Sequence, residues 1–424
     1  MPEARKKKVV IIGGGFAGLN AAQTLAKQDA FEVTLLDRSN HHLFQPLLYQ
    51  VAMAGLSPAD IASPIRSVLS SSGVRVLLAN VEEIQPEERE VIYSGGKISF
   101  DYLVLASGAV HSYFGHPEWE AFAPGLKTLG EATEIRRRVL TAFELAERET
   151  DRDLQKDLLT FVVVGGGPTG VELAGALGEI SRFTLARDFF RIDPRIARVI
   201  LIEAGDRILP SFPVKLSQKA VRELESLGVQ VWVRSRVSRI SAEGVEAGGE
   251  KIRSRTVLWA AGVAPSPLGK SFSPEALSSG KVKVASDLSM PSYPNIFVVG
   301  DLAHFETEAR VVLPGLAPVA MQEGIHAAKN IIADVRGAPR TKFCYQDKGQ
   351  MATIGRKKAI VDFGKIRLSG FAAWLIWLLV HIFFLIGFRN RVFVLLQWTW
   401  SYFRYSKGAR LIVGSVSRGD SRLT

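Results

Sequence analysis

Cysteine is nearly absent from this chain. One residue, Cys344, stands among 424, which excludes a disulfide framework and a cysteine-based zinc site. Histidine is scarce too. The seven histidines form no metal-like cluster, and the adjacent His41 and His42 point apart on a strand or a helix. We read them as local hydrogen-bonding groups and expect no metal. The opening MPEARKKK, followed at once by a strand-like run, offers no apolar signal region. Acidic charge is short at one end only. Residues 336–424 carry 16 Lys+Arg against 3 Asp+Glu, leaving 37 against 39 for residues 1–335, so the formal net charge of +11 belongs to the C-terminal fifth. A nucleic-acid partner would need those cations interleaved with a recognition fold. This region offers none, and no nucleic-acid partner is expected.

The basic end holds lipid-compatible sequence instead. FAAWLIWLLVHIFFLIGF (371–388) has His381 as its only ionisable side chain, with Lys365 and Arg367 before it and Arg389 and Arg391 after. A second apolar stretch, VFVLLQWTWSYF (392–403), follows, and four of the seven tryptophans fall between 374 and 400. The first stretch as a helix would reach about 27 Å at ~1.5 Å per residue, close to the roughly 30 Å hydrocarbon core. Length alone does not separate spanning from lying on the surface. Flanking cations and scattered tryptophans suit a monotopic helical pair touching lipid over residues 369–410. A true span would gather its aromatics at the two ends. A buried dimer interface is the other reading of the same residues.

A glycine fingerprint appears twice, at VVIIGGGFAGLNAA (9–22) and at VVVGGGPTGVELAGAL (162–177). Each follows an apolar, β-branched run that reads as a buried parallel strand and precedes a helix-like segment. The first glycine (Gly13, Gly165) permits the tight turn. The second (Gly15, Gly167) leaves bare backbone for a pyrophosphate, and the third (Gly18, Gly170) lets the helix lie close to the strand. The helix N-terminus then points free N–H groups at the phosphates. An acid ending the next strand, Asp37 after EVTLL and Glu203 after ARVILI, is placed to bind ribose hydroxyls. Glu203 comes late because LARDFFRIDPRIA (185–197) reads as an insertion. Two such sites imply two dinucleotides in one protein and a hydride passed between them.

The fold class expected is α/β, with two Rossmann-like dinucleotide-binding domains, the second inserted in the first, and a C-terminal membrane-anchoring helical segment. We expect the first domain over residues 1–112, the second over 113–284, a return to the first over 285–340, and the anchoring or dimer segment over 341–424. SNHHLFQPLLYQVAMAGLSPADIASPIR, after Asp37, reads as a short helix near the first nucleotide. The strand Tyr102–Ala106 ends in Ser107-Gly108, and TVLWAAGVAPSPL ends in small residues around Gly262; both let backbone approach a cofactor. NIFVVGD ends a buried strand at Gly300-Asp301, and LPGLAPVAMQEGIHAAKNIIADV predicts a helix starting near Pro318.

In that order these motifs resemble the two-dinucleotide-binding flavoprotein family. More narrowly, NHHLFQPLLYQVA, the RDFFRIDPRI insertion, LAPVAMQEG and the tryptophan-rich tail resemble type II NADH:quinone oxidoreductases, over nearly the whole chain. The resemblance implies non-covalent FAD in the first domain and NADH, as substrate, in the second. It also implies a membrane quinone as acceptor and a homodimer docked on the cytoplasmic face of the cell membrane. Such an enzyme feeds a respiratory chain without pumping protons. Gly13, Gly15, Gly18 and Asp37 would hold the FAD pyrophosphate and ribose, the Val81 backbone the adenine, Asp301 the ribityl chain or pyrophosphate, with Ser107 and Gly108 beside them. Pro318 and Val319 would open a helix aimed at the flavin pyrimidine edge. Gly165, Gly167, Gly170, Glu203 and Gly262 would hold NADH, and Glu203 would repel a 2′-phosphate. Glu172 resembles the family's acid near the nicotinamide; a first-turn helix acid favoured by the dipole is its plainer reading. Gln322 matches the second glutamine of the family's quinone motif, while Pro318 replaces the first, which leaves the choice of quinone open.

A sulfide:quinone oxidoreductase or a disulfide reductase needs a cysteine pair that Cys344 alone cannot supply. A membrane-tethered FAD- and NADH-binding redox sensor, or an NADH oxidoreductase with a non-quinone acceptor, is the alternative.

Overall fold

In the computed structural model, the residues described are 5–386, 391–392, 394–396, 398 and 409–413. Nine parallel strands and two glycine turns organise them. The elements used below are, in chain order, β1 (Lys7–Ile12), α1 (Phe16–Leu25), β2 (Phe31–Asp37), α2 (Leu48–Ala52), β3 (Arg75–Leu78) and β4 (Tyr102–Leu105). Then come α3 (Leu129–Arg148), β5 (Thr160–Val164), α4 (Pro168–Glu179), β6 (Arg198–Ile202), β7 (Val229–Trp232), β8 (Thr256–Trp259) and β9 (Ile296–Val298). The chain continues through α5 (Ala317–Val335), β10 (Gln350–Gly355), β11 (Lys358–Asp362), β12 (Arg367–Gly370) and α6 (Phe371–Phe384).

The chain forms two compact units: residues 1–43, 62–110 and 263–348, and residues 44–61, 111–262 and 349–424. The first is built on a five-stranded sheet of order β9-β4-β1-β2-β3, every pairing parallel. Val9 to Ile12 of β1 are buried on both faces, as a parallel sheet covered by helices requires. Helix α1 crosses α5 closely. A Cβ on Gly324 would sit 2.1 Å from the Ala17 carbonyl oxygen, so glycine is needed there. The core of this unit reaches Phe272, Val282 and Met290.

The second unit holds a four-stranded parallel sheet of order β7-β6-β5-β8. All five residues of β5 are buried. The β10–β12 meander packs on α4, where a Cβ on Gly175 would lie 1.7 Å from the Ile354 carbonyl oxygen. The unit's middle segment ends at Gly262, earlier than the 284 expected from sequence, because Phe272 and Val282 bury into the first unit's core. Residues 44–61 belong to the second unit. The buried Arg136 of α3 fixes them there, donating to the Val51 carbonyl at 2.8 Å and the Leu56 carbonyl at 3.1 Å.

The C-terminal helix is shorter than the apolar run suggests. Helix α6 has 14 residues and ends at Phe384, with Leu385 extended, so it reaches about 21 Å at ~1.5 Å per residue. No helix among the described residues is long and apolar enough to cross a membrane. Most of the second apolar stretch, 392–403, lies outside the described residues.

Candidate active site

Both fingerprints fold into the same local object. In the first unit Gly13 has φ +100°, and a Cβ there would meet the Ala106 carbonyl oxygen at 2.3 Å. A Cβ on Gly18 would meet the Gly13 carbonyl oxygen at 1.9 Å, whereas beside Gly15 nothing lies within 4 Å. The outer glycines are thus required by packing, and the middle one borders open space. Gly15 precedes helix α1 as its cap and supplies no side-chain bond, which leaves the helix N-terminus to a ligand. Asp37 ends β2 and accepts the Gly14 and Ser39 N–H groups, each at 2.6 Å.

The second unit repeats this. Gly165 has φ +110° and a would-be Cβ 2.5 Å from the Ala260 carbonyl oxygen; Gly170 would strike the Gly165 carbonyl oxygen at 1.8 Å; Gly167 is open. Gly167 precedes helix α4 in the same way, again without a side-chain cap. Glu203 accepts the Gly166 and Gly205 N–H groups, each at 2.6 Å. The 185–197 segment that delays Glu203 is irregular, with one short 3-10 turn at Pro194–Ile196. Gly262 receives the Phe114 ring in its side-chain space.

Around the first glycine turn are polar groups that the protein leaves unsatisfied. Ser107 Oγ and His42 Nε2 are buried with no hydrogen-bond partner among the described residues. His42 Nδ1 hydrogen-bonds the Gly14 carbonyl at 2.9 Å, the local role expected of it. Burial lowers its pKa, so the ring is neutral at pH 7. Gly108 has φ +68° and nothing within 4 Å of a would-be Cβ. Val81 opens the strand Val81–Gln85. Open space at Gly15, an uncapped helix end and two orphaned polar atoms fit a dinucleotide cofactor.

Asp301 sits in the turn Gly300–Leu302, close enough to Gly315 that a Cβ there would lie 2.8 Å from Asp301 Oδ1. Glu323 of α5, 2% exposed, accepts the Gly300 N–H at 2.5 Å. Burial pushes its carboxyl up to about 8, against the pull of that bond. Sequence reasoning passed over Glu323 because a glutamate on a helix reads as solvent-facing. Helix α5 starts at Ala317 with Pro318 in its first turn, followed by the buried Val319. Gln322 is engaged with backbone: its amide donates to the Gln346 carbonyl and accepts the Gln346 N–H, both at 3.0 Å.

Glu172 is placed by a different force from the one its position in sequence suggests. It lies beyond the first turn of α4, which contains no acid, so the helix dipole does not account for it. Its carboxyl lines a cavity of about 110 Å³ with Tyr49, Thr353, Trp374, Trp377 and Trp398. Burial raises its pKa to about 8, partly offset by a hydrogen bond from the Thr353 backbone. Trp398 Nε1 donates to Gln50 Oε1 at 2.7 Å, and Gln50 Nε2 donates to the Tyr49 hydroxyl at 2.9 Å. The Tyr49 hydroxyl is held protonated by burial and by the nearby Glu172. No sequence pattern announces this cavity, whose walls come from five separate stretches of chain.

Two nucleotide turns in one chain define the class, a protein built to hold two dinucleotides. The family model for pyridine nucleotide-disulphide oxidoreductases matches residues 7–324, and that for the NDH2 C-terminal domain matches 348–404. The chain is 42% identical to the type II NADH:quinone oxidoreductase Ndh of Mycobacterium tuberculosis, over 99% of this chain and 93% of that protein. Against NdhA of the same organism it is 41% identical, over 97% and 90%. Its fold resembles the structure of NDH2 from Plasmodium falciparum in complex with NADH, with a TM-score of 0.89, 19% identity, and 97% and 100% of the two chains covered. The chain belongs to the type II NADH:quinone oxidoreductase family.

Proposed function

We propose that this chain oxidises NADH and reduces a membrane quinone by two electrons, through non-covalently held FAD, without pumping protons. The balance is NADH, one proton and quinone giving NAD⁺ and quinol. The observation that carries the reading is the duplicated glycine turn, each copy with its own carboxylate seated on the turn's second N–H. FAD, when bound, supplies the hydride acceptor and the two-electron relay.

The chain's residues bind, orient and hold protons. Gly13, Gly15 and Gly18 with the end of α1 take the FAD pyrophosphate, Asp37 its ribose and the Val81 backbone its adenine. Ser107, Gly108 and Asp301 line the rest. The α5 N-terminus, with Pro318 and Val319, offers a positive end to the charge that reduction adds. Gly165, Gly167, Gly170 and Gly262 take NADH, and Glu203 binds its ribose and repels a 2′-phosphate. Glu172, protonated at pH 7, is the proton-holding group of the reaction. Gln322, held to the Gln346 backbone through one amide hydrogen and one lone pair, keeps its second amide hydrogen and second lone pair to orient the quinone.

The C-terminal segment docks on the bilayer surface. Phe371, Leu375, Leu379 and Phe383, four residues apart, are 53%, 43%, 59% and 68% exposed and form one apolar stripe along α6. Its one ionisable group, His381, is lowered to about 4 by burial and is neutral. The homodimer and the cytoplasmic face of the cell membrane are carried by the family resemblance. Steady-state oxidation of NADH and of NADPH with a short-chain quinone tests the assignment. Rapid turnover with NADH and poor turnover with NADPH is expected.

A further inference from the structure

Phe114 combines three features that the fold alone does not require. It is a bulky aromatic in left-handed backbone, with φ +50°, a conformation unfavourable for any residue with a Cβ. It is also 66% exposed, so burial of the ring does not account for the strain. And it fills the side-chain space of Gly262, where a Cβ would lie 2.7 Å from Phe114 Cζ.

The segment is held at the sheet's C-terminal edge. Trp259 Nε1 donates to the Ser112 carbonyl at 2.9 Å, and the Ser112 N–H donates to the Gly262 carbonyl at 3.2 Å. The Phe114 ring tilts against Trp259, centroids 6.2 Å apart. Trp259 ends β8, paired with Val164 at the end of β5, the strand that feeds the second glycine turn. Glu203 follows β6, on the other side of β5. A dinucleotide with its pyrophosphate at Gly165–Gly167 and its adenosine ribose at Glu203 therefore runs its other half past Ala260–Gly262, toward the exposed face of Phe114.

We propose that Phe114 is an NADH-binding residue, its exposed ring forming the wall on which the nicotinamide-ribose half of the nucleotide rests. Gly262 stays bare so that the ring can reach that place. The inference rests on the proposed NADH site in this unit.

The test uses the full-length, FAD-loaded protein with Phe114→Trp, Phe114→Ala and Phe114→Gly. Kd for NAD⁺ is read by isothermal titration calorimetry, alongside KM for NADH with a short-chain quinone. Phe114→Ala and Phe114→Gly should raise Kd and KM about tenfold, the scale of aromatic stacking, with kcat nearly unchanged. Phe114→Trp should stay near the parent. Because glycine relieves the strained backbone, the melting temperature of Phe114→Gly should hold or rise, separating lost contact from lost folding. Unchanged Kd and KM in Phe114→Ala would overturn the inference and leave the NADH site standing. A parent protein that binds neither NAD⁺ nor NADH would overturn both.

Discussion

Glu203 and Gly166 are joined by a 2.6 Å hydrogen bond from the glycine N–H to the carboxylate, and Asp37 and Gly14 repeat it at the same length. The acid at the end of the second strand therefore does two jobs. It stiffens the glycine turn and presents its remaining lone pairs where a ribose would lie. A 2′-phosphate would meet that fixed negative charge.

Glu203→Gln keeps an acceptor for the turn and removes the charge. The kcat/KM ratio of NADH to NADPH is expected to fall by about tenfold or more, equivalent to ~1.4 kcal/mol. Steady-state kinetics with both nucleotides measure it. A Glu203→Gln ratio equal to the parent's would separate the carboxylate from nucleotide choice.

The glycines of the second turn should divide by role. Gly167→Ala enters open space, so it should leave the melting temperature nearly unchanged and weaken NADH binding. Gly170→Ala places a Cβ 1.8 Å from the Gly165 carbonyl oxygen, so helix and turn must part, at a cost of at least ~1–3 kcal/mol. Calorimetry and nucleotide titration of the two variants distinguish them.

Glu172 links pH to stability and to rate. Its folded-state pKa, about 8, is raised from 4.5 by burial. The folded state therefore holds a proton that the unfolded chain releases, and stability falls as pH rises between those values. Glu323, also raised to about 8, acts in the same direction. Glu172→Gln should flatten part of the decline, and above pH 8 it should exceed the parent by ~1–3 kcal/mol. The quinone-dependent rate of the parent should drop above pH 8, and the variant should lose that break. Melting scans and a pH–rate profile check both.

The exposed stripe on α6 should govern lipid binding. Leu379→Glu with Phe383→Glu removes two side chains each worth ~1.5–3 kcal/mol when buried. Vesicle cosedimentation should fall by at least about tenfold, while flavin content stays constant.

Much of the fold was legible because its signals are local. The glycine turns, Asp37, Glu203 and the helix opening at Pro318 follow from contiguous residues whose spacing meets one steric need each. The rest depends on partners distant in sequence. Residues 44–61 fall in the second unit because Arg136 holds the Val51 and Leu56 carbonyls, a bond no periodicity foretells. The unit boundary moves to Val263 because Phe272 and Val282 find a core elsewhere. Glu172 was picked out by its motif, but its cavity and its retained proton come from Tyr49, Thr353 and three tryptophans that only folding assembles. Nothing in the run marks Phe114 either: its neighbour Tyr113 is buried while Phe114 is exposed, a difference that only folding sets.

The most direct test is anaerobic stopped-flow of the purified, FAD-loaded protein, following flavin absorbance. NADH should bleach the flavin band, and a short-chain quinone mixed in afterwards should restore it as quinol forms. A band bleached by NADH that quinone fails to restore would contradict the assignment of quinone as the acceptor.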